Sequence, residues 1–146
     1  MKTLFLDIDG VLHPASTGDR LDPHAPVSDA IGNHDLFCYA QVLADLLTPH
    51  DVGVIVHSSW RRFTLPEDLC VMLGPLAKYF IGTTPGATRY EGICWLVQQR
   101  KLTDYRILDD APSEFPKALP ELIVCDPERG SNDPRVLAAL KVWLLG

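Results

Sequence analysis

FLDIDG, residues 5–10, is an apolar, β-rich run that ends in two carboxylates two positions apart and a glycine. Taken back to Thr3 (TLFLDI, 3–8), it reads as a short strand buried on both faces. A carboxylate buried in such a strand without a partner is expensive. Asp7 therefore belongs at the carboxyl end of a central parallel strand, the edge where such sheets bind ligands. Gly10 lets the chain turn sharply beyond it. Taken alone, the hexamer also fits a strand followed by a plain Asp-Gly turn. Working outward, 52–57 (VGVIVH), 105–109 (YRILD) and 121–125 (ELIVC) read as strands of the same kind, and 79–81 (YFI) as a shorter one ended by Gly82.

Amphipathic helices are expected between these strands. Val42, Leu43, Leu46 and Leu47 share one face of a helix near 38–48. A helix over 65–73 starts from Thr64, with Glu67 completing a capping box and Pro66 in its first turn, and stops at Gly74-Pro75. Thr88 and Glu91 repeat the capping pattern ahead of Ile93, Leu96 and Val97. A last helix over about 134–144 has Val136, Leu137, Leu140 and Leu144 as its stripe and Ser131 or Asn132 as its cap. Strands alternating with helices imply an α/β fold, a mostly parallel sheet covered on both faces, in one domain over 1–146. The stretch 13–37 differs, being rich in Pro, Asp, His and Gly. It leaves the first strand just after Asp9 and is expected to be a long loop or minimal cap over the site, with a disordered insertion as the alternative.

The bulk properties narrow the function. A chain of 146 residues suits one substantial core, and 47% hydrophobic with 22% charged residues is a folded composition. Thirteen Lys and Arg against 19 Asp and Glu give a net charge of -6 without a basic tail. That argues against an extended nucleic-acid interface, which needs clustered positive charge, but leaves room for a pocket that reads one phosphate. The apolar run before Asp7 is too short for a signal peptide and no run approaches a membrane span, so a cytoplasmic location without a membrane partner is expected. Oligomeric state is left open. Cys38, Cys70, Cys94 and Cys125 form no CxxC pair and read as buried free thiols rather than zinc ligands.

Two further strand ends carry chemistry. In VIVHSSWR, 54–61, Ser58 is placed to donate to a phosphate oxygen, with Ser59 as a second donor or as a cap for the next turn. A serine nucleophile would need an activating base, and His57, as the neighbouring strand residue, faces the other way. His57 therefore reads as structural, Trp60 as packing or as lining the pocket, and Arg61 as a phosphate partner or a solvated or Asp-paired side chain. In YRILDDAP, 105–112, Asp109 is placed to complete an oxygen-rich magnesium site with Asp7, while Asp110 is a second ligand through water or holds a basic group. Phosphoryl transfer also demands a cation. Arg89, on the first turn of its helix, can lean over the sheet edge, whereas Lys101 falls at the opposite end; a plain surface arginine is the alternative. Asp126 reads as a turn residue on the approach to a helix, or as one that holds a loop near the pocket.

A DxDG motif, a strand ending in Ser, a basic residue and a strand ending in DD, in that order, resemble the haloacid-dehalogenase-like (HAD) superfamily over Asp7 to Asp110. FLDIDGVL with VIVHSSWR and RILDD looks most like its small, nearly capless branch, which includes phosphatase domains associated with RNA-repair enzymes. The resemblance implies a three-layer Rossmann-like fold with sheet order 5-4-1-2-3. It implies that Asp7 attacks phosphorus to form an aspartyl-phosphate and that Asp9 serves as general acid and then base. The Asp7 and Asp109 carboxylates and the Asp9 carbonyl would bind Mg2+, with Asp110 beside them, and Ser58, Arg89, Ser59 and the Gly10 turn would hold the phosphate. Arg89 stands where the family commonly has Lys. The implied substrate is a phosphorylated small molecule or an accessible phosphate on a macromolecule. Two other functions fit the same residues: a phosphate-responsive regulatory module without efficient turnover, and a degenerate structural scaffold.

Overall fold

The structure, a computed structural model, describes residues 1–18, 36–62, 64–86 and 88–146, with the side chains of Arg61 and Arg62 outside that description. The expected strands form one parallel sheet: β1 (Lys2–Leu6), β2 (Val52–Val56), β3 (Phe80–Thr83), β4 (Tyr105–Asp109) and β5 (Leu122–Val124). Their order is β3-β2-β1-β4-β5, the implied order read from the other edge. Among the described residues the α-helices are α1 (Ala15–Gly18), α2 (Ala40–Leu47), α3 (Pro66–Met72), α4 (Arg89–Arg100) and α5 (Pro134–Leu145).

Strand alternation divides the core into two layers. Leu4 and Leu6 of β1, Val54 and Val56 of β2 and Leu108 of β4 pack with Leu43 and Leu47 of α2 and with Val136 and Leu140 of α5. Phe5, Ile55 and Ile107 turn the other way, onto Ile93 and Leu96 of α4 and onto Phe115. Full burial of each such side chain contributes about 1.5–3 kcal/mol. This three-layer arrangement places α4, and Arg89 at its start, on the face shared by residues 5, 55 and 107.

Several local expectations change. Thr88 does cap α4, accepting from the Glu91 N–H at 3.2 Å. The residue ahead of α3 is instead Leu65, which makes no side-chain cap, so Thr64 and Glu67 form no capping box there. Asp133, not Ser131 or Asn132, caps α5 through the Arg135 N–H at 3.0 Å. On α5 Trp143 takes the buried place given to Leu137, because it follows Leu140 by one short turn. Of the cysteines only Cys125 is buried; Cys38 lies exposed in the turn before α2 and Cys94 on the outer face of α4, while Cys70 is half-buried. Asp126 is a turn residue as expected, accepting from the Glu128 and Arg129 N–H groups, which holds its carboxyl below the usual range.

Most of the expected loop or cap over 13–37 lies outside the described residues. Its two ends are tied down. Gly10 N–H donates to the His13 carbonyl, Tyr39 N–H to the Leu12 carbonyl, and Ala15 N–H to the Pro127 carbonyl. The Ser16 hydroxyl and the Tyr39 hydroxyl both reach Glu128, at 2.9 and 2.8 Å. Among the described residues no helix is long and apolar enough to cross a membrane.

Candidate active site

The register of the sheet builds the site. Leu6 pairs with Val56 on one side and with Leu108 on the other. The next residues, Asp7, His57 and Asp109, therefore stand in one row across three strands. Backbone bonds from Asp7 N–H to the Leu108 carbonyl and from His57 N–H to the Leu6 carbonyl, both 3.1 Å, extend the ladder to that row. In a parallel sheet a row shares one face, so all three side chains point to the side of α4. One ligand atom of each lies within 4.8 Å of the others, and all three residues are buried.

Burying two carboxylates side by side is costly unless charge compensates. Arg89 supplies it from the first turn of α4: its Nη1 donates to Asp7 Oδ2 at 3.0 Å and to both oxygens of Asp109 at 2.9 Å. Gly92 makes that reach possible, because a Cβ there would collide with the Pro85 carbonyl and the Thr84 side chain. Burial and the neighbouring Asp109 push the Asp7 carboxyl up, against Arg89 and the Ile8 N–H, which donates to Oδ1 at 2.8 Å. Burial also pushes Asp109 up, but His57, Arg89 and the Ala111 N–H outweigh it and hold that carboxyl below the usual range. His57 Nε2 donates to Asp109 Oδ2 at 2.8 Å and Ala111 N–H to Oδ1 at 2.8 Å. Arg89 itself is pushed down by burial and, more strongly, up by Asp7 and Asp109.

Asp110 is half-buried, and burial followed by repulsion from Asp109 raises its carboxyl. It packs directly on Gly10, whose φ of +78° and missing Cβ make room for it. Ser58 is buried and its Oγ accepts from the Trp60 N–H at 3.2 Å; Ser59 is exposed at the head of a 3-10 turn, so the capping falls to Ser58. Lys101 is exposed just before β4 begins, at the opposite sheet edge from Arg89. The Arg61 side chain lies outside the described residues.

Asp9 occupies the other side of the turn. His13 Nε2 donates to its Oδ1 at 2.7 Å and Trp60 Nε1 to its Oδ2 at 3.0 Å. Neither hydrogen bond follows from the local sequence; Trp60 both packs on Phe37 and lines the site through Asp9. The structural reading of His57 rests only on its orientation opposite Ser58. Counting the strands in phase would have put it beside Asp7. The His13 contact had no local signal, because it depends on the turn closing.

The geometry agrees with one comparison. A family model described as the HAD domain in Swiss Army Knife RNA repair proteins matches residues 3–136. No curated protein and no solved structure gives a match. Because the family match reaches all five strands and nearly the whole chain, the chain belongs to the HAD superfamily, in the family of HAD domains in Swiss Army Knife RNA repair proteins.

Proposed function

We propose that the chain is a magnesium-dependent phosphomonoesterase that works through an aspartyl-phosphate on Asp7. The observation that supports it best is the gathering of the Asp7 and Asp109 carboxylates around one shared cation, Arg89 Nη1. Three carboxylates, from Asp7, Asp109 and Asp110, act on that single guanidinium. The excess negative charge and the convergent oxygens suit a divalent ion, and a hard one takes oxygen ligands. Asp7, Asp109, the Asp9 carbonyl and Asp110 would hold it. His57 is engaged by Asp109 and orients that ligand. When bound, magnesium supplies positive charge that offsets the repulsion between Asp7 and a phosphate dianion.

In the proposed reaction an Asp7 carboxylate oxygen attacks phosphorus while the bond from phosphorus to the ester oxygen breaks. Asp9 gives its proton to the leaving oxygen, which avoids expelling a bare alkoxide. The ionised Asp9 then takes a proton from water, whose oxygen attacks the phosphorus of the aspartyl-phosphate. The bond to Asp7 breaks, inorganic phosphate leaves, and both aspartates return to their starting states. Ser58, Arg89, Ser59 and the Gly10 turn hold the phosphoryl oxygens, Arg89 exchanging a carboxylate contact for a phosphate one.

The substrate class is a phosphorylated small molecule or an exposed phosphate on a macromolecule. The family's occurrence in RNA repair proteins supports including a nucleic-acid end among the candidates. The test is magnesium-dependent release of phosphate from an aryl phosphate, lost in Asp7→Asn. Full activity in that variant would remove Asp7 as nucleophile. An aspartyl-phosphate that survives for hours would favour a phosphate-responsive regulatory module instead.

A further inference from the structure

Asp9 is held by more than its own backbone. Its side chain is 36% exposed, while the His13 that bonds it is fully buried. The Phe37 N–H donates to His13 Nδ1 at 3.1 Å, which makes Nδ1 the acceptor. Nε2 therefore carries the hydrogen that goes to Asp9 Oδ1, and one tautomer is selected. Trp60 Nε1, a donor only, takes the other carboxylate oxygen.

The two donors cannot turn independently. Phe37 meets His13 edge-on at 5.5 Å and Trp60 edge-on at 5.5 Å, and the His13 and Trp60 rings are 6.2 Å apart. Three rings wedged in this way resist rotation of any one of them. Each carboxylate oxygen has two lone pairs. His13 and Trp60 occupy one on each, which leaves the others for a proton on the open side. Two fixed donors thus define the plane of the Asp9 carboxylate.

We propose that His13 and Trp60 are positioning residues for Asp9, aiming its carboxylate at the leaving oxygen. Phe37 locks the His13 tautomer from the far end of the 13–37 segment. The proposal rests on the phosphatase reading above. It couples the described ends of that segment, His13 and Phe37, to the proton-transfer step.

The experiment compares two esters on the full chain with magnesium: an aryl phosphate with a nitrophenolate leaving group, which needs little acid help, and an alkyl phosphate, which needs much. Asp9→Asn serves as the reference. Trp60→Phe keeps an aromatic side chain and removes the N–H. His13→Leu removes both nitrogens, while His13→Gln returns an amide donor. A positioned acid contributes about 10²–10⁴ in rate, so partial loss of aim should cost roughly 10–100-fold in kcat/KM on the alkyl ester. On the aryl ester kcat/KM should stay within about threefold, because that ratio reports transfer to Asp7 and not the later hydrolysis, which uses Asp9 as base for both esters. His13→Gln should recover part of the alkyl activity. Equal losses on both esters in Trp60→Phe and His13→Leu, with Asp9→Asn still selective for the aryl ester, would overturn the positioning role alone. An Asp9→Asn variant that shows no such selectivity overturns the acid assignment beneath it. A wild-type chain that cleaves neither ester overturns the phosphatase reading and this proposal together. Trp60→Phe keeps an aromatic ring against Phe37, so its result stands even if His13→Leu fails to fold.

Discussion

Replacing Arg89 with methionine keeps much of the side-chain volume and removes the cation shared by Asp7 and Asp109. Those carboxylates are 1% and 0% exposed, so they cannot simply be solvated in place. Breaking one side of a buried ion pair costs about 3–5 kcal/mol. The Arg89 side chain is 27% exposed, and solvent screening discounts that cost to about 2–3 kcal/mol. For a chain of this length that corresponds to a midpoint lowered by roughly 6–12 °C at neutral pH. The pH dependence follows from Asp7. Burial and Asp109 already raise its folded-state carboxyl, and losing Arg89 raises it further. The deficit is therefore fully present above that folded value and shrinks as pH falls through it, because the protonated acid no longer repels Asp109. Magnesium should raise the variant's midpoint more than the wild type's, since the guanidinium no longer contests the carboxylates. The assay is thermal unfolding with and without magnesium across pH. A variant as stable as wild type at pH 7, with the same magnesium response, would refute the charge argument.

Other outcomes follow from single contacts. Gly92→Ala should destabilise the fold by about 1–3 kcal/mol in urea titrations, because the new methyl group meets the Pro85 carbonyl where α4 approaches the sheet edge. Gly10→Ala should sharply reduce phosphatase turnover, since it strains a left-handed position and drives Asp110 from its place. Asp104 accepts from Lys2 at 2.7 Å and from Trp143 at 2.6 Å, and these bonds hold its carboxyl low. Its contribution is present above its unfolded pKa of about 3.9 and lost as pH falls through the lower folded value. Asp104→Asn should therefore be less stable than wild type at pH 7, with the gap closing in acid, as read by urea midpoints.

Much of this architecture is legible in the sequence because each strand is a short apolar run with a chemical end. Asp7, Ser58 and Asp109 stand out as polar groups that end such runs. Thr88 is legible as a cap because its partner is three residues away. What escapes is whatever depends on alignment between strands. His57 joins Asp7 and Asp109 only because Leu6, Val56 and Leu108 share a row, and a local reading sees merely that it faces away from Ser58. The grip on Asp9 is harder still, since it needs Phe37 brought back beside His13 and Trp60 turned across the opening. The cysteines illustrate the reverse error: Cys94 has apolar sequence neighbours, yet helical phase carries it to solvent.

The most direct test of Asp7 as nucleophile is to trap its phosphate. Asp9→Asn should slow hydrolysis of the intermediate while still accepting phosphate from an aryl ester. Acid quench followed by borohydride reduction converts an aspartyl-phosphate to homoserine, which peptide mass spectrometry locates. The expected result is homoserine at position 7, dependent on magnesium and substrate. Phosphate retained on Ser58 instead, or position 7 unmodified during turnover, would contradict it.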